Sequence, residues 1–594
     1  MKLKSVFSCL IICLMLLGLL PLQGCGPSRK GFTITVAHLN DTHSHIEAAP
    51  AAMVINGHKA TVEMGGMARV KRAVDELRKD SPNMMLLHAG DAVQGTLYFN
   101  LFNGKPDFEI LNMLGVDAMT FGNHEFDRGP VAIPNYLITA RFPVLSANID
   151  FTEEPAISLL VHPYVIRHVD GEKMGIVGLT TETTPISTMS VGKARFNNSR
   201  ESLRRTIRVL NSKGVDKIIV LSHLGYDEDK QLAMEVDGVD IIVGGHSHSL
   251  LGNAATLQPL GLKPEGAYPT VVQTAQGKKV LVLQAWQWGF ILGGLEVSFD
   301  KAGEITGFQD RSRWMVSDRY SRDGKPVQKG SDAYKEISQA LKKAVNAEPV
   351  AEDPAMAAFI APYTAKLATY RNNVLAKADN DITPSLNGGP GPLVADSMKA
   401  SVPTAKLALL NYGGIRKGLT SGNISVGDVM EVLPFGNTLN IIDLSGEELK
   451  QSLEEGIDFL LKKFAGVTPP PLPYVSGARY TVNVKAAYGN RVVMLELKDE
   501  KGVYRPCLPT EIYRIVVNNF IAGGGDGFAT IKSAKRFRAD SGTIDADAFG
   551  AFLKAKGNVA NPVEVRIAVV PANGVALPAG IAAHNAAKPR AATK

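Results

Sequence analysis

The sequence contains few cysteines, and this excludes a fold held together by disulfides. Four cysteines occur among 594 residues, and three of them, Cys9, Cys13 and Cys25, lie within the first 25 residues. If that segment is processed, Cys507 has no partner for an internal disulfide. The mature chain must then be stabilised by apolar burial. Its length exceeds what a single core usually organises, so we expect two domains.

A strong excess of charge of either sign is also absent. The chain has 64 Lys and Arg residues against 58 Asp and Glu residues, a net charge of +6. This excess is too small for the basic surface that nucleic-acid binding requires, but it is compatible with small anionic substrates. After the amino-terminal segment, no apolar run is long enough to span a bilayer. We expect no nucleic-acid polymer and no obligate protein partner.

The amino-terminal segment predicts export. Lys2 and Lys4 precede a nearly apolar run over residues 6–20, which is typical of a secretory signal. The stretch LQGC, ending at Cys25, resembles a bacterial lipobox, in which cleavage precedes a cysteine that then carries lipid. The alternatives are an uncleaved anchor and a cleaved soluble protein. Gly26 in place of Asp argues against retention at the inner membrane. We therefore expect a periplasmic or cell-surface lipoprotein, anchored to the outer membrane in a Gram-negative cell.

Strand-like apolar runs alternate with helical periodicity from Gly31 to about residue 310, which predicts an α/β layered domain. The run over 280–300 looks more like hairpins. A helix is predicted after Asp353, which can cap it, with Pro354 at its first position. One face of this helix carries Met356, Phe359, Ile360, Tyr363, Leu367 and Tyr370. The expected parts are a signal (1–25), a first domain (31–330), a linker helix region (331–374), a second domain (375–570) and a disordered tail (571–594).

Acidic, amide and imidazole side chains follow five of the predicted strands. They are Asp41 and His43, Asp91, Asn123 and His124, His223, and His246 and His248. Because α/β sheets gather binding groups at the carboxyl ends of their strands, these side chains predict a metal site rather than unrelated polar turns. Nitrogen and oxygen donors suit Zn, Mn, Fe or Co. The set is too large for one ion, and two ions sharing Asp91 would use it.

Several motifs together carry a family resemblance. AHLNDTHSH, LLHAGDAVQG, GNHEFD, LSHLGYD and GGHSH resemble the metallophosphoesterase domain of the 5′-nucleotidase family, and NYGGIR, LPFGNTL and NNFIAGGGDGF resemble its second domain. The resemblance covers residues 32 to 570. It implies a four-layered αββα metallophosphoesterase domain, a linker helix and a carboxyl-terminal α/β nucleotide-binding domain. It also implies an extracytoplasmic enzyme that releases phosphate from nucleotides by attack of a metal-activated water.

The resemblance implies a role for each residue of the first domain. One metal would be held by Asp41, His43, Asp91 and His248, and the other by Asp91, Asn123, His223 and His246. His124, paired with Asp127, would face the phosphate, stabilise charge in the transition state and protonate the leaving group. Asp127 lies three residues on, where it could orient the imidazole and favour its charged form. His38, His45 and His88 have no assigned role and are expected to be structural or to support the ligands from outside the ligand set.

In the second domain the resemblance implies a nucleoside site. Phe435 and Phe520 would stack on the two faces of the base, and Asp526 would accept hydrogen bonds from the ribose. Two more residues, Asn411 and Arg416, would contact the phosphate or nearby oxygens. Asn437 would contact the base edge. Without the resemblance, the phenylalanines would be assigned to the core and GGGDG to a turn.

Two departures from the family pattern leave alternatives open. No arginine occurs between Arg371 and Arg416, although family members commonly carry one there, and this weakens the expected hold on a terminal phosphate. His248 replaces the amide of several nucleotidases. The alternatives are a 2′,3′-cyclic nucleotide phosphodiesterase or a UDP-sugar hydrolase and, more distantly, a dimanganese thiosulfohydrolase or a non-catalytic nucleotide-binding lipoprotein.

Overall fold

The computed structural model describes residues 31–188 and 190–570. The predicted signal segment with Cys25 and the predicted tail over 571–594 lie outside the described residues. Within those ranges the chain forms two α/β domains, as the sequence predicts. In the same ranges, every helix is too short or too polar to cross a membrane.

Two stacked β-sheets form the centre of the first domain. Their facing sides are apolar, with Val36 and Leu87 of one sheet and Ile219 and Val243 of the other fully buried. Strands buried on both faces are typical of largely parallel sheets under helices. The first sheet contains, in spatial order, Ile305–Asp310, Ile291–Phe299, Phe32–Leu39, Met84–His88, Ala118–Thr120, Val144–Leu145 and Val161–His162, with Arg313–Trp314 beside Ile291–Phe299. The second contains Thr270–Gln273, Lys279–Leu283, Ile241–Gly244, Lys217–His223, Glu172–Thr180 and Tyr164–Val169.

Helices cover the outer face of each sheet. Met67–Asp80 and Lys105–Leu114 pack on the first sheet, and Ser199–Ser212 and Tyr226–Glu235 pack on the second. This produces the four-layered αββα arrangement that the resemblance implied. The apolar stripe predicted for the first helix is confirmed, because Met67, Val70, Val74 and Leu77 are all buried. Short helices in the connections are Leu97–Phe102, Ile133–Leu137, Pro155–Ser158, Thr184–Ser187 and Ala254–Leu257.

The prediction of hairpins around residues 280–300 is confirmed, since Lys279–Leu283 pairs antiparallel with Thr270–Gln273 and Ile291–Phe299 pairs antiparallel with Ile305–Asp310. The two strands of this run do not pair with each other. Lys279–Leu283 pairs in parallel with Ile241–Gly244 in the second sheet, whereas Ile291–Phe299 pairs antiparallel with Phe32–Leu39 in the first. Residues 284–290, which we call the crossing loop, therefore pass from one sheet to the other. A continuous apolar run does not reveal which sheet a strand joins.

A small sheet and two helices complete the first domain and lead to the second. The sheet contains Ala48–Ile55, His58–Gly65, Val316–Arg322 and Lys325–Pro326, and helix Asp332–Val345 packs on it. Helix Pro354–Arg371 begins as predicted, because the Asp353 carboxylate accepts from the backbone N–H of Met356. Its predicted apolar face packs on the core of the first domain: Met356, Ile360 and Leu367 are buried there, and Phe359, Tyr363 and Tyr370 are partly buried.

A five-stranded mixed sheet forms the centre of the second domain. Apolar clusters cover both of its faces, one under helices Pro390–Ser401 and Asp545–Lys556 and one under helix Gly446–Lys463. The strands in spatial order are Tyr474–Ser476, Leu407–Leu410, Ile512–Asn518, Thr438–Ser445 and Arg538–Ile544. Smaller sheets contain Val374–Ala378, Gly422–Ser425 and Asn558–Val559, and Ala478–Val482, Val492–Lys498, Tyr504–Pro506 and Ile567–Val569. The other helices are Val426–Val432, Asn519–Ala522 and Ala529–Ser533.

Candidate metal centre and active site

The structure brings the predicted ligands together at the carboxyl ends of the strands. Nitrogen and oxygen donor atoms lie within 4.8 Å of one another in three overlapping groups. The groups are Asp41, His43 and His248; His43, Asp91 and His124; and Asp91, His223 and His246. Asn123 joins them, since its Oδ1 lies 3.0 Å from Nδ1 of His246. The acid and the first histidine of DTHSH are therefore part of one donor cluster.

Asp91 lies at the centre of this cluster. Its Oδ2 is 3.0 Å from Nε2 of His223, 3.7 Å from Nε2 of His43 and 4.0 Å from Nε2 of His124. Asp41 lies to one side, with Oδ1 3.4 Å from Nε2 of His248. Asp91 therefore has the position that a carboxylate shared by two ions requires.

The two carboxylates of the cluster favour positive charge beside them. Burial would raise the pKa of Asp41, but His248 and His223 outweigh it and lower that pKa to about 2. Burial would lower the pKa of His223, but Asp91 and Asp41 raise it to about 9. The buried carboxylates thus retain their charge and attract cations. Imidazole, carboxylate and amide donors without sulfur fit divalent ions of the Zn, Mn, Fe and Co type.

The backbone is strained at five of the seven predicted ligands. Asp41, His43, Asp91, His246 and His248 all have φ between 47° and 72°, a region that residues other than glycine rarely occupy. Such strain costs about 1–3 kcal/mol per residue and persists only where the surroundings enforce it. The fold therefore holds these donors against the local preference of the chain.

Two motif glycines allow the donor loops to approach closely. A Cβ on Gly122 would lie 2.1 Å from Oδ1 of Asp91, and a Cβ on Gly245 would lie 3.0 Å from Nδ1 of His223. Any larger residue would displace a donor. The glycines of GNHEFD and GGHSH are thus packing requirements of the centre.

His124 and Asp127 form a buried pair beside the donors. Nδ1 of His124 lies 2.7 Å from Oδ2 of Asp127, and the Thr188 hydroxyl donates to the other oxygen at 2.8 Å. Burial opposes the imidazolium, but the carboxylates of Asp127 and Asp91 outweigh it and hold the pKa of His124 well above its usual range. Nδ1 of His124 is thus hydrogen-bonded to Asp127, and Nε2 of His124 faces the donor cluster.

A cavity of about 420 Å³ connects the donor cluster to the second domain. Phe435 and Phe520 line it, and their exposed fractions are 50% and 46%. These exposures exclude the alternative that the two phenylalanines are core residues. Its other lining residues are His43, His45, Asp91, Gln94, Gly95, Asn123, His124, His246, Ser247, His248, Gln287 and Trp288 from the first domain and Gly436, Asn437, Thr438, Asn519 and Asp540 from the second.

Of the other residues predicted to bind substrate, Asn437 is among the described lining residues of the cavity, and Asn411, Arg416 and Asp526 are not. The guanidinium of Arg416 lies over the Phe435 ring at 5.5 Å from its centroid. Asn411 donates to Oδ2 of Asp526 at 2.9 Å and accepts from Asn518 at 3.0 Å. Asp526 has a φ of 51°, so the GGGDG turn is strained at its acidic residue. The Asn437 amide donates to Asp545.

No lysine or arginine is among the described residues that line the cavity. The segment between Arg371 and Arg416, where the family arginine is missing, contacts another part of the second domain. Oδ1 of Asn387 accepts from the backbone N–H groups of Arg566 and Ile567 at 2.8 Å. Asp540 instead adds a carboxylate, which accepts from the Gly542 N–H at 2.9 Å. Among the described lining residues, the imidazoles are therefore the only side chains that can carry positive charge.

Sequence reasoning missed several residues around the donors. The Glu125 carboxylate accepts from the backbone N–H groups of Asp91, Ala92 and Gly122, and so joins two donor loops. The position of Glu125 inside the motif GNHEFD was the sequence signal that could have identified this role. Asn40, directly before Asp41, donates to Oδ2 of Asp41 at 2.7 Å. Gln94 donates to the Gly542 carbonyl across the domain boundary, and nothing in the local sequence signals that contact.

The three histidines without an assigned role lie outside the three donor groups. Nε2 of His38 is 2.9 Å from the Tyr268 hydroxyl, and Nε2 of His88 is 3.1 Å from the Thr42 hydroxyl. His45 stacks on Trp288 with ring centroids 4.1 Å apart. The last histidine of DTHSH therefore belongs to the wall of the cavity.

Comparison with known proteins agrees with this geometry. Residues 34–250 match the calcineurin-like phosphoesterase family, and residues 367–533 match the 5′-nucleotidase carboxyl-terminal domain. A probable 5′-nucleotidase of Treponema pallidum is 33% identical over 91% of this chain and 95% of its own length.

Solved structures give the same result. The NAD nucleotidase of Haemophilus influenzae superimposes with a TM-score of 0.77 at 29% identity, over 91% of this chain and 100% of that one. A 5′-nucleotidase precursor from Thermus thermophilus has 39% identity and a TM-score of 0.58, over 91% and 99%. By sequence and by fold, the chain belongs to the 5′-nucleotidase family of metal-dependent phosphoester hydrolases.

Proposed function

We propose that the enzyme releases phosphate from nucleotides outside the cytoplasm, using two divalent ions. One observation carries this proposal: a single cavity contains both the donor cluster and two half-exposed phenylalanine rings. The cluster is suited to a phosphate, and the rings are suited to a planar base. The span between them requires a substrate that has both groups, as a nucleotide does.

In this proposal Asp41, His43, Asp91 and His248 hold one ion, and Asp91, Asn123, His223 and His246 hold the other. When bound, the ions lower the pKa of water and neutralise charge on the phosphate. His124 contributes a positive charge that Asp127 maintains, and its Nε2 is free to donate to a phosphate oxygen or to the leaving ribose oxygen. Proton transfer of this kind accelerates a reaction by about 10²–10⁴-fold.

The second domain provides recognition. Phe435 and Phe520 take the two faces of the base, and Asn437 contacts its edge. Asp526 accepts from the ribose hydroxyls, while Asn411 and Arg416 bind oxygens near the phosphate. Because both domains form walls of the cavity, substrate loading and product release require the domains to separate.

The test is phosphate release by the purified enzyme with Mn, Zn or Co. We expect metal-dependent turnover of AMP and a much higher KM for ribose 5-phosphate, which lacks the base. A glycerol phosphate control measures unselective phosphatase activity. Equal kcat/KM values for AMP and ribose 5-phosphate would remove the base site from the proposal, and absence of any phosphate release would remove the activity.

A second candidate function is hydrolysis of nucleotide diesters, including 2′,3′-cyclic nucleotides and UDP-sugars. It is favoured by the absence of lysine and arginine among the described residues lining the cavity, since a diester carries less charge than a terminal phosphate. Hydrolysis of 2′,3′-cyclic AMP yields a nucleoside monophosphate and that of UDP-glucose yields UMP and glucose 1-phosphate, so neither reaction frees phosphate. Separating the nucleotide products of these two substrates and of AMP by chromatography distinguishes the two functions. Activity confined to these diesters would replace the nucleotidase assignment.

We also propose that the mature protein is attached to the cell envelope by lipid at Cys25. The LQGC stretch supports this, and the Thermus relative, whose name records a precursor, supports removal of an amino-terminal segment. We expect labelled palmitate to be incorporated into the wild-type protein and not into Cys25→Ser. Cys507→Ser is the control and should be labelled normally. Label retained in Cys25→Ser would refute the anchor.

A further inference from the structure

Hydrogen bonds at Nδ1 orient three of the donor imidazoles in two different ways, while Nδ1 of a fourth, His246, lies 3.0 Å from Oδ1 of Asn123. Nδ1 of His223 donates to the Ala89 carbonyl at 2.7 Å, and Nδ1 of His43 donates to the Gln94 carbonyl at 3.1 Å. Both acceptors are backbone oxygens. A hydrogen bond at Nδ1 fixes the tautomer and leaves the Nε2 lone pair toward the cluster. These two ligands are therefore oriented by the fold itself.

His248 is oriented by a side chain. Its Nδ1 donates to Oε1 of Gln287 at 2.8 Å, while its Nε2 lies 3.4 Å from Oδ1 of Asp41 and 3.0 Å from Nε2 of His43. The Gln287 contact thus determines which nitrogen faces the cluster. Unlike the two carbonyl acceptors, it can be removed by substitution.

His248 also has more freedom than the other two imidazoles. Its side chain is 32% exposed, whereas the side chains of His223 and His43 are 0% and 7% exposed. Close packing restrains His223 and His43 on every side. An imidazole that is one-third exposed depends more heavily on its hydrogen bond for orientation.

The crossing loop holds Gln287 firmly in place. On either side of it, the Trp286 carbonyl accepts from Asn40 at 2.7 Å, and the Trp288 N–H donates to the Asp41 carbonyl at 2.8 Å. Both tryptophans have positive φ, 61° and 57°, which is rare for bulky residues. A strained segment fixed at both ends presents the amide of Gln287 to His248.

We propose that Gln287 is a positioning residue that sets the affinity of the Asp41–His43–His248 site for its ion. The site on the other side of Asp91 contains His223, which is oriented by a carbonyl and fully buried. Occupancy of the two sites should therefore respond differently to a change at residue 287. The proposal rests on the ligand roles given above and adds a determinant of metal affinity that lies outside the ligand set.

The test is a titration of metal-free protein with Mn²⁺, in which free Mn²⁺ is measured by EPR. We expect Gln287→Ala to raise one of two dissociation constants about 10–100-fold, the usual effect of losing such a hydrogen bond, and to leave the other unchanged. Gln287→Glu keeps an acceptor at the same place and should restore or tighten binding. Gln276→Ala is the matched control, because Gln276 is exposed and its side-chain amide donates to Asp237, away from the donor cluster.

Two results would overturn the proposal. One is an unchanged pair of dissociation constants in Gln287→Ala. The other is equal weakening of both sites together with a lower melting temperature of the metal-free variant, which would make Gln287 a structural support of the crossing loop. Binding of a single ion by the wild-type protein would contradict the two-ion function instead. The proposal for Gln287 would still be decided by the ratio of the variant and wild-type constants.

Discussion

Replacement of His124 by alanine should lower kcat for phosphate release about 10²–10⁴-fold, the usual contribution of a positioned acid or base. His124 faces the donor cluster, bonds Asp127 at 2.7 Å and is held in its charged form. Removing it takes away a positive charge that no lysine or arginine among the described cavity residues can replace. Steady-state kinetics with AMP at saturating metal measures the effect.

The metal content of the His124 variant decides between two roles. Nε2 of His124 lies 4.0 Å from Oδ2 of Asp91, and His124 belongs to one of the three donor groups. If it acts on the substrate, His124→Ala keeps the metal content of the wild-type enzyme. Loss of one ion would assign it as a ligand and remove the proposed acid. His168→Ala, on an exposed edge strand, is the matched control for losing a histidine.

Substitution of Asp91 by asparagine should lower both metal binding and activity. The residue keeps its size but loses the charge that holds His223 at 3.0 Å and that both proposed ion sites share. We expect both ions to bind weakly and phosphate release to fall by about 10³-fold or more, which corresponds to about 4 kcal/mol of lost transition-state stabilisation. Elemental analysis of the purified variant and the kinetic assay measure the two losses.

A control for Asp91→Asn comes from the opposite end of a ligand strand. Asp240 accepts from the Ile218 N–H at 2.7 Å, near the start of the strand that ends at His223. Asp240→Asn can keep this hydrogen bond, so metal content should remain normal. If Asp91→Asn loses only one ion, Asp91 belongs to a single site. Unchanged turnover would exclude it from the centre.

The donor cluster could be predicted from the sequence because strand ends and ligand types coincide in it. Phe32–Leu39, Met84–His88 and Ala118–Thr120 are parallel neighbours, so the residues that follow them must meet at one edge. The hairpin between Ala48–Ile55 and His58–Gly65 was also predictable. Asn56 and Gly57 both have positive φ, as expected of the turn that Asn-Gly favours.

Other parts of the site depend on tertiary packing and have no local signal. Asp540 reaches the cavity and Gly542 reaches Asp127 only because the second domain packs on the first; a Cβ on Gly542 would lie 2.5 Å from Oδ2 of Asp127. The path of the crossing loop from one sheet to the other could not be predicted for a similar reason. Its flanking strands are buried on both faces, and such runs contain no information about which sheet each strand joins.

The shared cavity has a consequence for how such enzymes diversify. In the proposed arrangement, one domain provides the bond-breaking groups and the other selects the molecule presented to them. The helix Pro354–Arg371 that precedes the second domain packs on the core of the first. An exchange of the carboxyl-terminal module after this helix would therefore retain the reactive centre while changing its specificity. Duplication and recombination at this boundary offer evolution and protein engineers the same short route to new substrates.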